Sequence, residues 1–121
     1  MITLTKENYE ATVKEYEIVI IDFFGEWCPS CKQYGPIFDS ISKKYPDITF
    51  AKLNTDEEVG LSDHFFAQNL PTTVIMKEKT VVFKEPGLLS EDELVDLVEQ
   101  IKVLDIDNFR AEKAAKKARK R

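Results

Sequence analysis

Metal-binding and cross-linking residues are scarce in this chain. Two cysteines and one histidine among 121 residues are too few for a four-ligand structural zinc site or for a scaffold held by several disulfides, so no metal is expected. No apolar run approaches the roughly 18 residues of a membrane-spanning helix. Residues 1–6 (Met-Ile-Thr-Leu-Thr-Lys) show no basic segment followed by an apolar one, so a secretory signal is not expected. With so few cysteines, the expected compartment is a reducing one, the cytoplasm.

What is present is an ordinary globular composition, 43% hydrophobic and 32% charged, in a chain long enough to bury roughly two thirds of its unfolded surface. Charge is unevenly placed. Residues 110–121 hold seven of the 17 basic groups and one acid, a net +6; the remaining 109 residues hold ten basic and 21 acidic groups, a net −11. An acidic body with a basic extension is the pattern of an interaction tail or a solvated appendage.

The apolar period switches repeatedly along the body. Tyr9, Val13 and Tyr16 give helical spacing, with Thr5 as a cap. Residues 18–24 (Ile-Val-Ile-Ile-Asp-Phe-Phe) are a nearly continuous, β-branched apolar run, the signature of a strand buried on both faces. A helix follows from Pro29 to Tyr45, with Tyr34, Ile37, Phe38 and Ile41 on one face and Pro36 inside it as a kink. Residues 48–53 alternate as a strand, Glu57–Phe66 reads as a helix, and Thr72–Met76 and Val81–Phe83 form an antiparallel hairpin. Ser90 and Glu93 make a capping box for a helix striped by Leu94, Leu97, Val98 and Ile101. With a short strand at Ile2–Leu4, the order predicts an α/β fold: a mixed sheet of four to five strands with helices on both faces. No internal repeat appears. The expected division is a domain over residues 1–104 and a basic helix or tail over residues 105–121.

The chemistry concentrates at Trp27-Cys28-Pro29-Ser30-Cys31-Lys32, where the buried strand gives way to a helix. A cysteine at a helix start meets unpaired backbone N–H groups and the positive end of the helix, both of which stabilise a thiolate. A second cysteine one turn on is placed to resolve a mixed disulfide. Pro29 suits the first helical position, where its missing N–H costs little. Half of a zinc site is the competing reading of such a pair, and no further cysteine supports it.

Four separated segments, in order, resemble the thioredoxin family: Ile21–Lys32 with Pro36, Ala51–Asp56, Leu70-Pro71-Thr72, and Gly87. The resemblance covers about residues 2–103 and implies the thioredoxin fold. It also implies Cys28 as nucleophile, Cys31 as resolving thiol, and Asp22 as a buried carboxylate beneath them that takes the proton of Cys31. By the same resemblance Lys52 pairs with Asp22 and tunes it. Pro71 resembles the family's cis-proline, leaving the backbone of Leu70 to bind an extended substrate; Trp27 covers the cysteines and meets partners, and Gly87 lines the cleft. No cofactor beyond the redox-active disulfide is implied. His64 reads as a surface histidine.

Three departures from the family pattern stand out. Pro29-Ser30 replaces the usual Gly-Pro between the cysteines, which tunes the redox poise and is expected to make the couple less reducing than in an ordinary thioredoxin. The turn Lys77-Glu78-Lys79-Thr80 lacks a glycine. Phe66 stands where a small residue is common. Residues 105–121 have no family counterpart; Asp105 or Asp107 is placed to cap a helix there, but its net charge disfavours one in isolation, and little burial is expected. The function implied is a cytoplasmic, monomeric thiol–disulfide oxidoreductase that reduces protein disulfides, regenerated by thioredoxin reductase. The alternative is a thioredoxin-fold binding module or adaptor whose tail contacts an anionic partner such as nucleic acid or a charged surface.

Overall fold

A computed structural model describes residues 1–119. Its elements are β1 (Ile2–Thr3), α1 (Tyr9–Glu15), β2 (Ile18–Phe24), α2 (Pro29–Lys44), β3 (Thr49–Asn54), α3 (Val59–His64), β4 (Thr72–Lys77), β5 (Thr80–Pro86), α4 (Glu91–Lys102) and α5 (Ile106–Arg119). The strands form one mixed sheet in the order β1-β3-β2-β4-β5. The first three are parallel, and β4 runs antiparallel to β2 and to β5.

Strand alternation sorts the core into two halves. Val19, Ile21 and Phe23 of β2 pack with Ala51, Leu53, Val74, Met76 and, beyond the sheet, Val13 and Phe65. Ile20 faces the other way with Phe50, Ile75, Tyr34 and Phe38 of α2, and Leu94 and Val98 of α4. A side-chain period of two therefore assigns α1 and α3 to one face and α2 and α4 to the other. Burial of each such aliphatic or aromatic side chain is worth about 1.5–3 kcal/mol, and both faces contribute.

Three elements differ in extent from the sequence expectation. Helix α3 is shorter than Glu57–Phe66 because Phe66 adopts a left-handed backbone, φ +53°, which ends a right-handed helix. Phe65 turns into the core against Tyr9 and Phe23, and Phe66 is left 73% exposed. Strand β5 runs well beyond Val81–Phe83 because its ladder with β4 continues past an irregularity at Ile75/Met76 as far as Thr72↔Pro86. Helix α1 opens at Tyr9, after a turn in which the Thr5 N–H donates to Asn8 Oδ1 (2.8 Å) and the Asn8 N–H to Thr5 Oγ1 (3.3 Å). The glycine-free hairpin turn is solved by Glu78 and Lys79, both at positive φ (48° and 66°), the geometry of the tight two-residue turns that match strand twist.

Of the two forms expected for the extension, a basic helix or a tail, it takes the helix, and it is tied down more firmly than the little burial expected of it. Asp105 caps α5 by accepting from the Asn108 N–H (3.1 Å). The Lys77 ammonium is buried and donates to the carbonyls of Ile101 (2.8 Å), Lys102 (3.3 Å) and Leu104 (2.9 Å), fixing the α4–α5 link. Arg110 donates to Glu78 O (2.6 Å) and Thr80 Oγ1 (2.9 Å) of the hairpin turn. Ile106 is 6% exposed, whereas Lys113, Lys116 and Lys117 are exposed; Lys120 and Arg121 lie outside the described residues. Ile106→Ala is expected to lower stability by about 2 kcal/mol, the low end for truncating a buried aliphatic, measured by urea unfolding. A change within about 0.5 kcal/mol, the range of surface substitutions, would mean that α5 adds nothing to the fold.

Candidate active site

Strand β2 delivers the chain to the start of α2 at the carboxyl edge of the sheet. Cys28 is the N-cap of α2, with an extended backbone, and Pro29 follows in the first turn. Its sulfur accepts the backbone N–H of Cys31 at 3.2 Å. That donor is one of the N–H groups an α-helix leaves without an internal partner. Cys28 and Cys31 are joined as a disulfide with Cα atoms 5.2 Å apart. The two sulfurs differ in access: Cys28 is half-buried, while Cys31 is 6% exposed. An incoming sulfur therefore meets Cys28 first, and on opening the bond Cys28 keeps a backbone donor and the positive helix end.

Three loops gather where β2 ends, ahead of the cysteines. The Leu70-Pro71 bond is cis, and Pro71 O accepts the N–H of Gly87 (2.8 Å). Gly87 has φ +108°, a region glycine reaches without a Cβ penalty. Among the described residues no hydrogen bond uses the Leu70 N–H or carbonyl, so both are open to an extended chain. A methyl at Gly25 would lie 3.0 Å from Leu70 Cδ1 and 3.7 Å from Asp56 Oδ2, and the Glu26 N–H donates to Asp56 Oδ2 (3.1 Å). Trp27 is 90% exposed, standing out from the surface and not in the core. Ser30 is exposed in the first turn of α2, and no hydrogen bond of its hydroxyl occurs among the described residues.

Beneath the cysteine helix lies a polar row. Asp22 faces Lys52 across the β2–β3 ladder and Thr73 across the β2–β4 ladder. All three point to the α2 side, since Ile20, Phe50 and Ile75, two residues away on each strand, pack there. Asp22 is 1% exposed, and its Oδ1 has no hydrogen-bond partner. Its pKa is raised from 3.8 to about 7, by burial above all, with Lys52 pulling it down and Asp39 pushing it up, both less than burial does. A carboxyl poised near neutrality in such a setting is suited to proton transfer. The expected pairing of Lys52 with Asp22 is not what forms. Lys52 Nζ sits 3.0 and 3.2 Å from the two oxygens of Asp39 on α2, so Lys52 acts on Asp22 through its field, not through an ion pair.

A cysteine pair capping a helix, a cis-proline loop beside it and a buried acid below form one constellation. The thioredoxin family model matches residues 1–102. The chain belongs to the thioredoxin family. It is 39% identical over 117 residues to the Streptomyces coelicolor protein named "Putative thioredoxin 2", covering 97% of this chain and 87% of that one, so this likeness runs into residues 105–121, for which no family counterpart was expected. It is 31% identical over 91 residues to thioredoxin H3 of Arabidopsis thaliana, covering 75% and 77%. Among solved structures, a mutant thioredoxin of Halobacterium salinarum superposes with TM-score 0.79 at 25% identity, covering 87% of this chain and 92% of that one. Plasmodium falciparum thioredoxin gives 0.77 at 28% identity, covering 83% and 98%. The protein is a thiol–disulfide oxidoreductase whose redox group is the Cys28–Cys31 disulfide. Thioredoxins work without an external cofactor, and no group of three or more His, Cys, Asp or Glu able to hold a metal occurs among the described residues.

Two features of this thioredoxin site are absent from the sequence reading. Asp39 belongs to no motif; it lies on α2 beside the buried Phe38 and eight residues after Cys31, a helical spacing that sets it over the same sheet face. Tyr34 read as one apolar stripe residue, yet its hydroxyl bonds Thr73 Oγ1 at 2.8 Å, closing the row from above, and burial holds its phenol well above the usual range. His64 is exposed on α3, edge-on to Phe65, as a surface histidine.

Proposed function

We propose that this thioredoxin runs as a reductant of protein disulfides, with Cys28 as nucleophile and Cys31 as resolving thiol. The observation that carries the assignment is the unequal access of the two sulfurs, with the accessible one at the helix N-cap. In the reduced protein the Cys28 thiolate attacks a client disulfide, forming one S–S bond and expelling one client thiolate. The Cys31 thiol then gives its proton to the Asp22 carboxylate and attacks Cys28. The Cys28–Cys31 bond forms, the bond to the client breaks, and the second client sulfur leaves as a thiolate. Two electrons pass to the client. Lys52 moderates the proton affinity of Asp22. Trp27, Leu70, Pro71 and Gly87 form the surface against which an extended client segment lies, the Leu70 backbone supplying hydrogen bonds.

Electrons return from a thioredoxin reductase, as the family implies, and the clients are proteins with accessible disulfides. The setting is electron transport for cell redox homeostasis in the cytoplasm, with the protein a monomer; two cysteines, both in the active site, suit a compartment where structural disulfides are rare. Residues 1–104 carry the catalysis, and residues 105–121 form an appendage with its own surface.

Equilibration with glutathione, followed by thiol quantification, tests the direction of flow. The couple is expected between about −270 and −230 mV, from the thioredoxin value to just above it, with Pro29-Ser30 shifting it upward. A value above about −180 mV, the range of the dedicated oxidants, would reverse the assignment.

A further inference from the structure

We propose that Asp39 is a positioning residue: by holding the Lys52 ammonium on the α2 side of the site, it leaves the Asp22 carboxyl without a counter-charge and so sets how readily that carboxyl binds a proton. The inference gives Asp39 a part in the resolving step only insofar as Asp22 takes the Cys31 proton there, as proposed above.

The geometry is specific. Lys52 lies directly across the ladder from Asp22, on the same face of the sheet. Neighbouring strands are under 5 Å apart, so a lysine side chain can reach either carboxylate. Its ammonium instead bridges both oxygens of Asp39, at 3.0 and 3.2 Å, while Asp22 Oδ1 goes without a partner. Solvent explains the choice. Asp39 is 46% exposed and Lys52 29%, so their pair forms at little desolvation cost, whereas an ion pair at Asp22 requires two charges in a dry site. The other groups facing Asp22 do not replace the missing charge. From α2 comes Tyr34, whose hydroxyl is engaged by Thr73. From β4 comes Thr73 itself, uncharged. Lys77, on the same face, is spent on carbonyls at the far end of β4.

Removing the Asp39 charge has two effects of one sign: it frees Lys52 to approach Asp22, and it deletes a negative field that disfavours the Asp22 anion. Both lower the pH at which Asp22 ionises. An opposite charge brought within 4–6 Å moves a carboxyl by about 1–3 units, so Asp39→Asn is expected to shift the Asp22 midpoint down by about one unit or more. The measurement is the Asp22 carboxyl ¹³C shift against pH in the oxidised protein, for wild type, Asp39→Asn, Lys52→Met and the double variant. Lys52→Met is expected to move the midpoint up. Asp39→Asn in the Lys52→Met background is expected to move it by less than half as much as in wild type, and Asp39→Glu to restore wild-type behaviour. Both charged sites are partly exposed and the substitutions near-isosteric, so thermal melts serve as the check on folding.

An unchanged midpoint in Asp39→Asn overturns the proposal. So does an equal shift with and without Lys52, which would make Asp39 a direct field effect. The pH profile of the resolving rate is a separate readout. If the midpoint moves and that profile does not, Asp39 controls Asp22 as proposed, and the base role of Asp22 is what fails.

Discussion

Cys28→Ser is expected to reduce protein-disulfide reduction to the uncatalysed background. A serine hydroxyl does not ionise near neutral pH and forms no mixed disulfide, so the first bond of the cycle is never made. The loss will not come from unfolding. The loop closed by the Cys28–Cys31 bridge is so short that its removal costs about 2 kcal/mol by loop-entropy arithmetic, and the core of both sheet faces is untouched. Circular dichroism and a urea melt alongside the activity assay separate the two causes. Substantial reduction of a protein disulfide by a folded Cys28→Ser protein would place the nucleophile elsewhere.

Asp22 gives the second large effect, with two signatures of opposite sense. Asp22→Asn is expected to slow resolution roughly 10²-fold, the usual worth of a positioned general base, and to leave the first attack nearly unchanged between pH 6 and 8. Stopped-flow resolution of a pre-formed mixed disulfide measures the resolving step, and client-dependent loss of the Cys28 thiolate the first attack. The same substitution is expected to stabilise the oxidised fold. The folded carboxyl has its pKa raised to about 7, by burial above all, against about 3.9 unfolded. Below about pH 4 both states are protonated and Asp22 costs nothing through its charge. Between about 4 and 7 the unfolded state releases its proton first, so wild-type stability falls as pH rises; above about 7 the penalty is complete. The stability gap between Asp22→Asn and wild type therefore opens through this window toward roughly 4 kcal/mol, less the cost of burying the amide. Equal stability across the window would place Asp22 in contact with solvent.

The fold was legible where burial follows from local pattern. The nearly continuous apolar run of β2, the alternation of β3 and the Ser90/Glu93 capping box each appear where expected, because two-residue periods and caps are decided within a few positions of the chain. The cysteine pair was legible for the same reason, its chemistry resting on one strand-to-helix junction. What was not legible depends on distant groups. The choice of Lys52 between two carboxylates turns on how exposed Asp39 is on α2. The early end of α3 turns on whether Phe65 or Phe66 takes the core position, and both are apolar. The seating of the extension turns on the burial of Ile106, on Lys77 reaching the α4–α5 link and on Arg110 reaching the hairpin turn. A count of charges in a basic tail cannot register those three contacts.

The division of labour between the two thiols is tested most directly by Cys31→Ser incubated with an oxidised client protein and analysed by intact-mass spectrometry without reductant. The account predicts a stable adduct linked through Cys28, one client per molecule, released by dithiothreitol and absent with Cys28→Ser. Steady turnover by Cys31→Ser with no trapped adduct would contradict it, and would require a one-thiol cycle in which an external thiol resolves the intermediate.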